Sequence, residues 1–81
     1  MLVDKITLET IRNNLINAFR ESGHTQTYVA RKLGVAQQTV NQYISGRAMP
    51  ALDTFANLCV ILDADPAEIL GIKDQLEIKL K

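Results

Sequence analysis

The sequence predicts an all-α domain: five short helices followed by a C-terminal tail with the pattern of an extra strand or helix. Apolar residues recur at steps of three and four along most of the chain, as on one face of a helix. Most of these segments open on a capping residue and close on a glycine. Strand-like alternation appears only after Gly71.

Leu8, Ile11, Leu15, Ala18 and Phe19 form the first apolar stripe, with Thr7 as N-cap and Ser22-Gly23 as its end. Thr25 caps the second helix, whose stripe is Val29, Ala30 and Leu33 and whose stop is Gly34. Only Val35 and Ala36 separate that glycine from the third helix, so the connection is a tight turn. Gly46 closes the third helix, and "GRAMP" is a loop in which Pro50 restricts Met49 to extended geometry. Leu52, Phe55, Leu58, Cys59 and Leu62 mark the fourth helix. In "DPAEILG", Asp65 is an N-cap, Pro66 the first helical residue, Glu68 stands at N3 and Gly71 is the stop.

The tail resists one assignment: Leu76, Ile78 and Leu80 alternate as in a strand, yet Ile72, Leu76 and Leu80 fit a helix. The chain thus divides into a helical domain over residues 1–71 and a tail over 72–81 that is a candidate dimerisation segment.

Eighty-one residues make one domain. A chain of this size buries about 60% of its unfolded surface, so its core is small. Apolar residues are 47% of the whole, which fits an ordinary globule. The lone Cys59 excludes an intramolecular disulfide and a cysteine-based zinc cluster. The longest apolar run, "LCVIL", is too short to cross a bilayer, and "MLVDKITLET" lacks the apolar core of a signal peptide. The expectation is a cytoplasmic protein without a membrane partner.

Nine basic and nine acidic residues cancel. Their order matters more than their sum. No Asp or Glu occurs from Ser22 to Leu52, where Arg31, Lys32 and Arg47 stand, whereas six acids lie between Asp53 and Glu77 against Lys73 alone. One face can therefore carry a positive field despite a neutral total.

The third helix concentrates chemistry. "QQTVNQ", Gln37 to Gln42, holds three glutamines and an asparagine. At about 100° per residue, Ala36, Val40, Tyr43 and Ile44 share one arc, and Gln37, Gln38, Asn41 and Gln42 share another. A carboxamide offers a donor and an acceptor on one plane, which is what bidentate pairing with adenine N6 and N7 requires in the major groove. Exposed glutamines alone are commonplace. Here they follow a tight turn between two short helices, lie inside the acid-free window, and form an arc without Lys or Glu. Gln37, Gln38, Asn41 and Gln42 are therefore candidate base readers.

The stretch "TQTYVARKLGVAQQTVNQYISGRAMPALDTFANLCVILDADPAEILG" resembles the Cro/repressor-type helix-turn-helix family, the phage repressor-like regulators, and the likeness runs from about Leu8 to Gly71. It rests on Gln26 opening the second helix, Ala30, Gly34 and Val35 at the turn, Val40 in the third helix, the "GRAMP" loop and the apolar helix before "DPAEIL". The resemblance implies a lambda-repressor-like five-helix domain with its helix-turn-helix at about 25–45. It also implies a homodimer on a pseudo-palindromic double-stranded operator, and base contacts from Gln37, Gln38 and Gln42. Gln26 falls at a phosphate-binding helix N-terminus and Arg47 in a loop that touches the backbone. Thr25, Tyr28 and Lys32 complete the candidate phosphate contacts. Two residues depart from the family pattern: Ile44 where many members carry an acid, and Ala51 where a hydroxyl usually caps the fourth helix.

The remaining residues have plain roles. His24 is a linker residue, since a metal site would need further ligands; Cys59 is a small core residue; Tyr43 is a core anchor with a wet hydroxyl; and Arg31 keeps the second helix soluble or attracts DNA at long range. No catalytic set is present: the acids are scattered and the one histidine lies in a turn. The sequence thus predicts a transcriptional regulator, a repressor in the first instance, with no enzyme activity, cofactor or small-molecule ligand. Two alternatives keep the same DNA-reading helix. One is an antitoxin that binds a partner toxin through its acidic C-terminal part, which a neighbouring toxin gene would favour. The other is a restriction-modification controller protein, able to activate as well as repress.

Overall fold

Thr7 leaves extended backbone and accepts a hydrogen bond at Oγ1 from the Thr10 amide, 3.2 Å away. It thereby satisfies an orphan donor at the start of α1 (Leu8–Ser22). The computed structural model describes residues 5–73, and among them four further helices follow: α2 (Gln26–Leu33), α3 (Gln37–Ser45), α4 (Leu52–Leu62) and α5 (Pro66–Leu70). Thr25 Oγ1 caps α2 through the Tyr28 amide at 3.0 Å. Asp65 Oδ1 caps α5 through the Ala67 amide at 2.9 Å, with Pro66 in the first turn as expected.

Ala51 gives α4 no side-chain cap, as its methyl dictates. Asp53 compensates in part, its Oδ1 accepting from the Thr54 amide at 2.9 Å and its charge facing the positive end of the helix. The C-terminus of α4 lacks a glycine. Asp63 takes the left-handed conformation instead (φ 53°, ψ 45°), and the Ala64 amide donates back to the Cys59 carbonyl at 2.9 Å.

The core draws on every helix: Leu15 and Phe19 from α1, Val29 and Ala30 from α2, Val40 from α3, Leu58, Cys59 and Leu62 from α4, and Ile69 from α5. Leu15, Val29, Val40 and Leu58 are sealed almost completely. Each such side chain contributes about 1.5–3 kcal/mol by leaving water. α1 packs on α3, α4 and α5, while α2 packs on α3 and α4. Asn14 Nδ2 donates to the Ile69 carbonyl at 3.0 Å and ties the shortest helix to the longest. Burial pushes the Cys59 thiol above its ordinary range, and the nearby Asp65 charge adds to this, which suits an inert core residue.

Two members of the predicted stripes are not core. Leu8 is 63% exposed and Leu52 86% exposed. Each is the first residue of its helix, ahead of the turns that meet a neighbour. On α4, Leu58, Leu62, Phe55 and Cys59 fall within about 100° of one another, whereas Ala56 and Val60 point the opposite way, with Leu52 at the edge. Val60 is accordingly 80% exposed. The start of the expected tail is anchored, with Lys73 Nζ 3.3 Å from Asp65 Oδ2. The remainder, including the residues expected to form a strand or helix, lies outside the described residues.

Candidate nucleic-acid interface

The α2–α3 turn is closed by backbone. The Gly34 and Val35 amides both donate to the Ala30 carbonyl, at 2.9 and 3.1 Å, and Gly34 supplies the φ of +79° that this geometry demands. Val35 then packs against the core, and Ala36 starts α3 without a capping side chain. The first amides of α3 are thus left to solvent or to a ligand at the positive end of the helix dipole.

Val40 is buried, and Tyr43 and Ile44 are half-buried against the core, so the opposite arc of α3 faces out. Gln37, Gln38 and Asn41 are exposed and Gln42 is half-buried. Two hydrogen bonds join this arc to the start of α2. The Thr27 hydroxyl donates to Gln37 Oε1 at 3.2 Å, and Asn41 Nδ2 donates to Gln26 Oε1 at 3.4 Å. Gln26, Thr27, Gln37 and Asn41 therefore form one polar edge across both helices, with Gln38 and Gln42 beside it on α3.

The other expected phosphate contacts do not gather on this edge as one group. Thr25 adjoins it, its hydroxyl oxygen engaged as the α2 cap. Arg47 is exposed beyond the C-terminal end of α3, its amide donating to the Gln42 carbonyl at 3.0 Å. Tyr28 and Lys32 lie on the flank of α2 opposite Gln26. There the His24 ring meets Tyr28 with centroids 4.4 Å apart, and Lys32 Nζ stands 5.6 Å from the Tyr28 ring centre. These two belong to a separate aromatic–cationic cluster, not to the amide edge.

Sequence reasoning missed Thr27, whose partner is ten residues away; its only sequence signal was a hydroxyl beside Gln26. It also missed Arg12. The Arg12 stem crosses from α1 onto Gly46, so closely that a Cβ there would sit 2.9 Å from Arg12 Cδ. Gly46 is also left-handed, at φ +80°.

The acids lie elsewhere. Between α1 and α5 an open hollow is lined by Glu21, Asp63, Asp65 and Glu68 together with Asn14 and His24. The hydrogen bond from the Ala67 amide, aided by Lys73, holds the Asp65 carboxyl below its ordinary value, so it stays charged. The hollow thus gathers negative charge, whereas the segment that carries the amide edge, Ser22 to Leu52, holds no Asp or Glu. Among the described residues no three His, Cys, Asp or Glu side chains gather into a metal-binding group, and no helix is long and apolar enough to cross a membrane.

A helix-turn-helix family model matches residues 16–69, from the middle of α1 to α5, about two thirds of the chain. No curated protein and no solved structure matches it. Turn geometry, outward amide edge and family match agree: the chain belongs to the Cro/repressor-type helix-turn-helix family, whose members are DNA-binding transcriptional regulators rather than enzymes.

Proposed function

We propose that this chain is a repressor that binds a pseudo-palindromic operator as a homodimer, with α3 of each protomer in the major groove. The observation that carries this is the joined edge of Gln26, Thr27, Gln37 and Asn41. A base-reading side chain must be held before the base arrives, because each rotor frozen on binding costs affinity. Thr27 holds the Gln37 carboxamide by its oxygen and leaves its NH₂ free to donate; Gln26 holds the Asn41 NH₂ and leaves its carbonyl oxygen free to accept. Gln37 and Gln38 at the start of α3 read base edges, with Asn41 and Gln42 further along the groove.

Gln26, Thr25 and Arg47 set the register on phosphates, and Tyr28 and Lys32 contribute from the flank of α2. Arg31, Lys32 and Arg47 are the only Lys or Arg residues between Ser22 and Leu52, so non-specific binding is weak and most operator affinity comes from geometry and dimerisation. Residues 1–71 form the DNA-binding unit, and 72–81 serve the dimer.

Selection of bound sites from a random DNA pool tests this directly. Two related half-sites about one helical turn apart, roughly 34 Å between centres, are expected. A pool that yields no enriched sequence would end the operator-reading assignment.

A further inference from the structure

We infer that Arg12 and Arg47 form a phosphodiester-binding site at the C-terminal end of α3, with Arg12 as its preset member; the inference rests on α3 lying in the major groove. The C-terminal end of a helix carries roughly half a negative charge. A DNA strand passing that end of α3 meets repulsion unless the protein supplies cations there. Two are available. Arg47 follows Gly46 directly and is exposed, and Arg12 reaches Gly46 from α1.

The state of Arg12 distinguishes it from an ordinary surface arginine. Its Cγ, Cδ and Nε pack so near Gly46 that an added Cβ would lie 3.8, 2.9 and 3.7 Å from them. Its Nε is sealed from water and has no hydrogen-bond partner. No ion pair joins it to Glu9, one turn earlier on the same helix, or to any other described acid. A buried donor without an acceptor costs stability and calls for an explanation. Only Nε is sealed, and the residue as a whole is half-buried, so the rest of the guanidinium remains within reach of an incoming group. A guanidinium that is always charged and already fixed by packing loses little freedom when it meets a phosphate oxygen. The amide edge reads bases at one end of α3, and the two arginines grip the backbone at the other.

The test uses Arg12→Met, which keeps the stem on Gly46 and removes the charge, and Arg12→Lys, which keeps the charge. Binding to a short mixed-sequence duplex is measured across a salt series, and thermal unfolding is measured without DNA. For Arg12→Met the slope of log K against log salt should fall by about 0.9 per protomer, with binding to every sequence weakened roughly tenfold at low salt. Its unfolding midpoint should stay level or rise, because an unsatisfied donor is gone. Arg12→Lys should keep the slope. An unchanged slope in Arg12→Met, beside a wild type that binds, would overturn the inference and leave the base-reading assignment standing. Failure of Arg12→Met to fold would overturn it equally, by showing that the guanidinium is engaged within the protein. A wild type that binds no duplex would remove the DNA-reading assignment and this site with it.

Discussion

The Thr27 hydroxyl donates to Gln37 Oε1 at 3.2 Å, across the turn that separates α2 from α3. This contact makes the orientation of the Gln37 carboxamide, the proposed base reader, depend on a residue of the other helix. Thr27→Val should therefore weaken operator binding several-fold without unfolding the domain. A double-mutant cycle with Gln37→Ala checks it: coupling of about 0.5 kcal/mol or more should appear in operator binding, and additivity would remove the role given to Thr27.

Gln37→Ala and Gln38→Ala should each cost roughly 1–3 kcal/mol of discrimination between operator and random DNA. Both side chains are exposed, so the thermal midpoint should hardly move. Paired isotherms on the two DNAs decide the matter; equal losses on both would reassign these residues to general affinity.

Leu58→Ala should destabilise by about 2–5 kcal/mol, a large share of what a domain of this size possesses. Leu52→Ala should stay within about 0.5 kcal/mol, since that side chain is 86% exposed. Urea unfolding of the two variants gives the comparison.

Gly34 and Gly46 are both left-handed, but only Gly46 lies under a side chain. Gly34→Ala should cost about 1–2 kcal/mol from backbone strain alone. Gly46→Ala should cost more, and Arg12→Ala should recover part of the excess, because it removes the atoms that meet the new methyl. Denaturant midpoints of the singles and the double test this; identical costs at both glycines would contradict the packing of Arg12.

Asp65 ties stability to acidity. Its folded carboxyl titrates below the ordinary value of 3.8, chiefly through the Ala67 amide and then through Lys73. A depressed carboxylate adds stability that is full above the unfolded value and disappears as pH falls through the folded one. Thermal midpoints should therefore drop on acidification below about pH 4, and Asp65→Asn, which keeps an acceptor for Ala67, should flatten that drop. An equally steep acid limb in the variant would assign the effect to other carboxylates.

Much of the fold was legible because it is written locally. Thr7, Thr25 and Asp65 cap the helices they precede, and four glycines end helices where the pattern stops. The outward arc of α3 followed from spacing alone. What periodicity could not supply was the neighbour each stripe meets: Leu8 and Leu52 keep the helical step yet have nothing to pack on. Asp63 was invisible as a helix stop because an aspartate enters the left-handed region far less readily than a glycine and so does not mark a helix end by its identity alone. Thr27 with Gln37, and Arg12 with Gly46, are meetings of distant residues, which a residue-by-residue scan does not contain.

Val40 is the only fully buried residue of α3. Within the core the helix is thus anchored at one point and half-anchored at Tyr43 and Ile44, while its four amides lie outside that core, Gln37 and Asn41 being tied to α2 by exposed hydrogen bonds. Address and chassis are separable: exchanging the residues at 37, 38, 41 and 42 should redirect the protein to a different DNA sequence while the domain beneath keeps its shape and stability.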